Sequence, residues 1–139
     1  MGKTLSKKLL VVDDDLLFRG MLVEILKAQG FDVAEAGDGE EGITTFKAFA
    51  PDLVITDIRM PKKTGIQMAQ EILRLSPETP IIFVSGWYDP ARDYPVNGAN
   101  VSSLKDTFCV YFLKKPFRIP QLLSLINETN TPCKKHQTA

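Results

Sequence analysis

Leu9-Leu10-Val11-Val12-Asp13-Asp14-Asp15 sets three carboxylates directly after an unbroken apolar run. Apolar residues without polar alternation read as a strand buried on both faces, the usual pattern of a parallel sheet. The same arrangement recurs along the chain. Leu53–Thr56 runs into Asp57, Ile81–Ser85 into Gly86, and Cys109–Leu113 into Lys114, Lys115 and Pro116. Phe31–Ala36 alternates more and reads as an edge strand.

Helical periodicity fills the intervals. Leu17, Phe18, Met21, Leu22, Ile25 and Leu26 share one helical face, and Gly30 follows as a stop. Glu40–Phe49 is a second helix, with Ile43 and Phe46 three apart. Ile66, Ala69, Ile72 and Leu73 mark a third, and Ile119, Leu122, Leu123 and Ile126 the last. Pro120 sits in the first turn of that last helix, where a missing N–H costs nothing. Strands alternating with helices predict βαβ units and a parallel sheet covered on both faces.

A chain of 139 residues with 44% apolar content suits one domain with a real core. Lys plus Arg and Asp plus Glu both number 17, so no global field points to direct binding of nucleic acid or membrane. The apolar run after the basic stretch Met1–Lys8 is too short for a signal-peptide core, and no stretch could span a bilayer. With only Cys109 and Cys133, a disulfide framework is not expected; both read as reduced thiols of a cytoplasmic protein. The predicted division is an N-terminal extension over 1–6, a domain over 7–130 and a polar, disordered tail over 131–139.

Parallel sheets bind ligands at the carboxyl ends of their strands. That edge would gather Asp13, Asp14, Asp15, Asp57, Ser85, Gly86 and Lys115. Crowded carboxylates repel unless a positive group sits among them, and Mg²⁺ is the natural hard cation for oxygen ligands. A carboxylate beside Mg²⁺ can be a nucleophile that forms an acyl phosphate. A lysine and a hydroxyl would then stabilise charge on the transferring oxygens. Taken singly, each residue has a plainer reading. Asp15, just before a helix, reads as its N-cap. A lone serine after a strand is a turn residue, and a lysine before proline is usually solvated. The combination at successive strand ends is what points to phosphoryl chemistry.

These stretches resemble the response-regulator receiver family of two-component signalling, in particular its single-domain, chemotaxis-regulator-like members. The resemblance rests on Leu10-Val11-Val12-Asp13-Asp14, Asp52 through Pro61, Gly65, Ile81 through Gly86, and Leu113-Lys114-Lys115-Pro116-Phe117. It implies a flavodoxin-like, doubly wound five-stranded α/β fold in the order 2-1-3-4-5, an order for which a receiver is a standing example. It implies that Asp57 is the phosphoacceptor, assisted catalytically by Lys115 and Ser85. Asp14 and Asp57 would bind Mg²⁺ with the backbone carbonyl of Arg59, and Asp13 would assist directly or through water. Lys115 would pair with Asp57 and then with the phosphoryl group. Ser85 and Phe112 would form the switch, and a cis bond would precede Pro116. The implied donor is a phosphohistidine on a sensor histidine kinase or a histidine phosphotransfer protein, and the implied readout is a change of shape passed to a downstream protein. Such a domain assists its own phosphorylation and dephosphorylation without being classed as an enzyme. A homodimer is open.

The sequence departs from the family in one region. Residues 87–107 are several positions longer than usual and carry Pro90, Pro95, Asn97, Gly98 and Asn100, all poor in helix interiors. An atypical fourth helix is expected, reduced to about Asn100–Thr107. Of the two lysines before Pro116, Lys115 takes the family role and Lys114 should face the other way, since strand side chains alternate. Trp87 and Arg59, two residues beyond Ser85 and Asp57, flank the site and are expected to modulate hydrolysis; Trp87 either shields the acyl phosphate or packs on the rim. Two rivals remain. Asp13-Asp14-Asp15 also looks like the nucleophile motif of haloacid-dehalogenase-like phosphotransferases, with Asp13 as nucleophile. A non-phosphorylated, receiver-like docking module is the other.

Overall fold

Each apolar run becomes a strand and each periodic stretch a helix in the computed structural model, which describes residues 6–60, 62–86, 104 and 107–130. The order is β1 (Lys8–Val12), α1 (Leu16–Ala28), β2 (Asp32–Ala36), α2 (Gly39–Phe49), β3 (Leu53–Asp57), α3 (Gly65–Leu75), β4 (Ile81–Ser85), β5 (Val110–Lys114) and α4 (Ile119–Glu128). All neighbouring strands are parallel, in the order β2-β1-β3-β4-β5. The doubly wound order expected from the resemblance is therefore present.

The strand period of two divides the core. Leu10, Val12, Val54, Ile81 and Phe83 face Ile43, Phe46, Ile66, Met68 and Ile72 of α2 and α3. Leu9, Val11, Leu53, Ile55, Ile82 and Val84 face Leu22, Val23 and Leu26 of α1 and Leu122 and Ile126 of α4. β1, β3 and β4 are buried on both sides, as their unbroken apolar runs require. β2 is the expected edge. The last strand departs from expectation. Tyr111, Phe112 and Leu113 are only half-buried, because β5 closes the other edge of the sheet.

Helix ends follow local chemistry. The Asp15 side chain accepts from the Phe18 N–H at 3.1 Å and caps α1. Asp38 caps α2 by accepting from the Glu41 N–H at 2.8 Å. Thr64 and Gln67 exchange bonds in a capping box at α3. Gly30 ends the first βα unit with a φ of +99°, a conformation that glycine adopts without strain. Of residues 87–107, only Leu104 and Thr107 are described. Both are helical, and the Phe108 N–H donates to the Leu104 carbonyl at 2.8 Å. The rest of that segment, Trp87 included, and the tail over 131–139 lie outside the described residues.

Two further features differ from or add to the sequence reading. Cys109, buried before β5, is disulfide-bonded, which corrects its reading as a reduced thiol. Lys7 joins the two ends of the described chain. Its ammonium donates to Thr129 Oγ1 at 2.8 Å and Asn130 Oδ1 at 2.6 Å, just past the end of α4. No helix among the described residues is long and apolar enough to cross a membrane.

Gly65 is where the fold is least tolerant. A Cβ there would stand 1.9 Å from the Asp57 carbonyl oxygen, a backbone atom of the central sheet. At Gly42 a Cβ would meet Met68 Sδ at 2.5 Å, the end of a flexible side chain. Gly65→Ala should therefore cost about 3 kcal/mol and Gly42→Ala about 1 kcal/mol or less, as overpacking against fixed and yielding neighbours respectively. Urea denaturation of the two variants reads the difference; equal losses would mean that the turn after β3 yields as easily as Met68.

Candidate functional site

The carboxyl ends of β1, β3, β4 and β5 meet on one edge of the sheet, and the polar residues of the sequence meet there with them. Asp13, at the end of β1, is 1% exposed, an unusual burial for a carboxylate. Its bonds explain how it is held. Oδ1 accepts from the Asp15 N–H at 2.9 Å, and Oδ2 accepts from the Lys115 ammonium at 3.0 Å. Its backbone carbonyl accepts from Arg19 Nη1 at 2.7 Å, while Arg19 Nε donates to Glu35 at 2.8 Å. Arg19 thus ties the loop after β1 to the edge strand β2.

Asp57 ends β3. Its Oδ1 accepts from the Ile58 N–H at 2.7 Å, and its Oδ2 lies 3.8 Å from the Lys115 ammonium. Asp14 is exposed. Asp13, Asp14 and Asp57 each offer an oxygen within 4.8 Å of the others. Asp15 turns away to cap α1, which removes the acid–base partner that a phosphatase-like use of Asp13 would need.

Lys115 reaches this cluster from the loop after β5. Its N–H donates to the Ser85 carbonyl at 2.8 Å, and a cis peptide bond joins it to Pro116. Lys114, one residue earlier, is exposed, in keeping with strand alternation. The hydrogen bond from the Lys115 ammonium goes to Asp13, and its distance to Asp57 is that of an ion pair only. Lys115 thus forms an ion pair with Asp57 and, in addition, a closer one with Asp13. Asp13 is the more buried acid, so it gains more from a direct charge-assisted bond.

The charges do not balance. Three carboxylates against one ammonium leave two negative charges in the pocket. Burial pushes the Asp57 carboxyl above the usual carboxylate range, and the charge of Asp13 pushes it further. Lys115 and the Ile58 N–H oppose that rise, and Asp14 adds to it. An all-oxygen donor set with a surplus of two negative charges fits a hard divalent cation. The exposed side at Asp14 leaves room for the waters that Mg²⁺ retains.

The remaining predicted residues surround this cluster. Ser85 is 2% exposed at the end of β4, on the same face as Phe83. Phe112 is half-buried in β5, in register with Phe83. Arg59 is exposed, two residues beyond Asp57. Phe18 has a place that sequence reasoning missed. It counts there only as part of the apolar face of α1, yet its ring lies under the Lys115 ammonium, 4.0 Å from centroid to nitrogen. It also borders a cavity of about 450 Å³ lined by Gly86, Lys115, Pro116 and Phe117. Arg19 was likewise not singled out. No spacing rule reveals either contact, because both depend on tertiary packing.

The response regulator receiver domain family matches residues 9–127. The chemotaxis protein CheY of Thermotoga maritima is 33% identical over 127 residues, covering 91% of this chain and 99% of that protein. CheY of Bacillus subtilis is 34% identical, covering 90% and 98%. The transcriptional regulatory protein PdtaR of Mycobacterium tuberculosis is 34% identical, with 86% of this chain matching 55% of that longer protein. Among solved structures, Vibrio cholerae CheY4 superposes with a TM-score of 0.77 at 26% identity, covering 90% of this chain and 99% of the other.

The raised Asp57 pKa has a stability consequence. A carboxyl whose pKa is higher in the folded state favours folding only while protonated. That contribution is full below the ordinary carboxylate pKa and is lost as pH rises through the folded value. Near neutrality the ionised Asp57 is therefore a burden. In metal-free buffer at neutral pH, Asp57→Asn should raise the melting temperature by a few degrees. The gain should shrink as pH falls through the ordinary carboxylate range, and Mg²⁺ should narrow it at neutral pH. Thermal melts across pH test this; a gain independent of pH would refer the effect to packing instead.

Proposed function

Since this chain belongs to the response regulator receiver domain family of two-component signalling, we propose that its acceptor is Asp57 and that its donor is a phosphohistidine. The observation that carries the reading is the position of Asp57. It stands half-buried at the end of β3, among two further carboxylates and one ammonium. Family membership makes the chain a receiver in signal transduction.

In the transfer, an Asp57 carboxylate oxygen attacks phosphorus and forms the new O–P bond. The P–N bond to the donor imidazole breaks, its electron pair stays on nitrogen, and that nitrogen ends neutral or takes a proton from water. Burial and the charge of Asp13 raise the energy of the ionised acceptor, and the acyl phosphate adds further negative charge, so the transfer needs positive charge held beside it. Asp13, Asp14 and Asp57, with the Arg59 backbone carbonyl, would hold Mg²⁺, which supplies positive charge to the phosphoryl oxygens. Lys115 supplies the protein's own positive charge there. It is already within ion-pair distance of Asp57, so a small rotation brings it to a new phosphoryl oxygen. Ser85 hydrogen-bonds another oxygen. Hydrolysis of the acyl phosphate by water then restores the carboxylate and releases inorganic phosphate.

The partner that fits is a sensor histidine kinase or a histidine phosphotransfer protein, since a phosphorylated imidazole offers this acceptor a good leaving group, the imidazole itself. The signal would run through Ser85 to Phe112. Both lie on one face of adjacent strands, and β5 is a half-buried edge strand of the sheet. Phosphorylation would stabilise one of two existing states of this edge. Phe112 has no hydroxyl, so its packing alone reports the state.

Two experiments test these roles. Incubation with acetyl phosphate and Mg²⁺ should add one phosphoryl group to the intact mass of the wild type and none to Asp57→Asn. A gain that persists in that variant would move the acceptor to Asp13 or Asp14, and no gain in a folded wild type would favour a docking module. For the switch, beryllium fluoride with Mg²⁺ should shift the backbone amide resonances of Ser85 and Phe112, and Ser85→Ala should largely abolish the Phe112 response. A Phe112 amide that ignores the mimic would sink the coupling.

A further inference from the structure

The Lys115 ammonium has three donors, and the carboxylates use one of them in a hydrogen bond, to Asp13 Oδ2 at 3.0 Å. Asp57 Oδ2 stands at 3.8 Å. On another side of the ammonium lies the face of Phe18, with 4.0 Å between nitrogen and ring centroid. That distance is well inside the range in which an aromatic quadrupole attracts a cation.

Phe18 is itself held in place twice. Its backbone N–H donates to the Asp15 side chain in the N-cap of α1. Its ring meets that of Phe117 edge-on, with 6.2 Å between centroids and 90° between planes. Phe117 follows Lys115 and Pro116 directly, so the ring pair brackets the loop that carries the lysine. The same first turn of α1 thus fixes both the acidic loop after β1 and the aromatic face under the ammonium.

A lysine on four rotatable bonds needs such a restraint. Holding one rotamer costs up to about 2 kcal/mol of side-chain entropy. The cavity of about 450 Å³ bordered by Phe18, Gly86, Lys115, Pro116 and Phe117 gives the side chain somewhere else to go. The cavity wall is mainly apolar, so the Phe18 ring face adds to the pull of Asp13 and Asp57 in keeping the cation out of it.

We propose that Phe18 is a positioning residue, whose ring holds the Lys115 ammonium against Asp13 and Asp57 and thereby sets the rate of phosphoryl transfer. The rate claim rests on the acceptor reading of Asp57; the contact claim does not. Leucine in place of Phe18 would keep apolar bulk and remove the quadrupole, whereas tyrosine would keep a ring face.

The test uses acetyl phosphate with Mg²⁺, so that no partner protein docks on α1. Phe18→Leu should lower the maximal phosphorylation rate about three- to tenfold, the size expected for losing one partly desolvated cation–π contact. The half-saturating donor concentration should change less than the rate. Phe18→Tyr should restore the rate to within about twofold. In parallel, NMR of the Lys115 ε-methylene protons should show an upfield ring-current shift in the wild type and in Phe18→Tyr, absent in Phe18→Leu. Should Phe18→Leu prove unfolded by thermal melt, Phe18→Met provides the same contrast with a more adaptable side chain. A folded Leu or Met variant with the wild-type rate would overturn the proposal, as would unshifted ε protons in the wild type. A wild type that accepts no phosphoryl group at Asp57 would overturn the acceptor reading and the rate claim together, and the ring-current shift would tell that failure from a missing contact.

Discussion

Three carboxylates converge on one lysine at the carboxyl edge of the sheet, and much of the local architecture answers to that imbalance. Asp13 is nearly inaccessible to water and tolerable there only because its oxygens accept from Lys115 and from the Asp15 N–H. Arg19 adds a third bond to its backbone carbonyl and anchors the loop to Glu35. Asp57 has less compensation, one backbone N–H and a longer ion pair, and its carboxyl is correspondingly harder to ionise. The pocket therefore holds an unmet demand for positive charge next to its central acid. A hard divalent cation, which the all-oxygen donor set fits, would meet that demand.

The core makes this convergence rigid. Side chains alternate between two packed layers along β1, β3 and β4, so a one-residue slip in any of them would send each side chain into the layer shaped for its neighbour. The turn after β3 is pinned as well, because Gly65 sits against the Asp57 carbonyl with no space for a side chain. Burial falls off toward β5, whose central residues are half-buried and whose outer edge has no strand partner among the described residues. A change at the site would meet least resistance on that side.

Much of this was legible in the sequence because burial on both faces leaves so plain a mark. Unbroken runs such as Leu53–Thr56 gave their strands to within a residue, and the residue after each run fell at the edge of the site. Capping by Asp15 was legible for the same local reason. What escaped depended on contacts across the fold. The half-exposed β5 reads as fully buried because its apolar residues serve neighbouring layers only in part. The preference of Lys115 for Asp13 over Asp57 turns on less than an ångström. Phe18 and Arg19 look like one more apolar and one more basic residue of a helix, and only the return of the chain at Lys115 and β2 gives them partners. The disulfide at Cys109 was hidden for a similar reason, since composition alone argues for free thiols.

The Lys7 clasp has a topological consequence. By joining the start of β1 to the end of α4, it places residues 7 and 130 side by side at the pole of the sheet remote from the acidic crevice. Entry and exit of the folded chain then share one doorway, on the wall opposite the chemistry. A fold with that plan can be spliced into a loop of another protein, or closed into a ring and reopened elsewhere, with little disturbance of its crevice. In engineering terms it is a cartridge with both leads at one end.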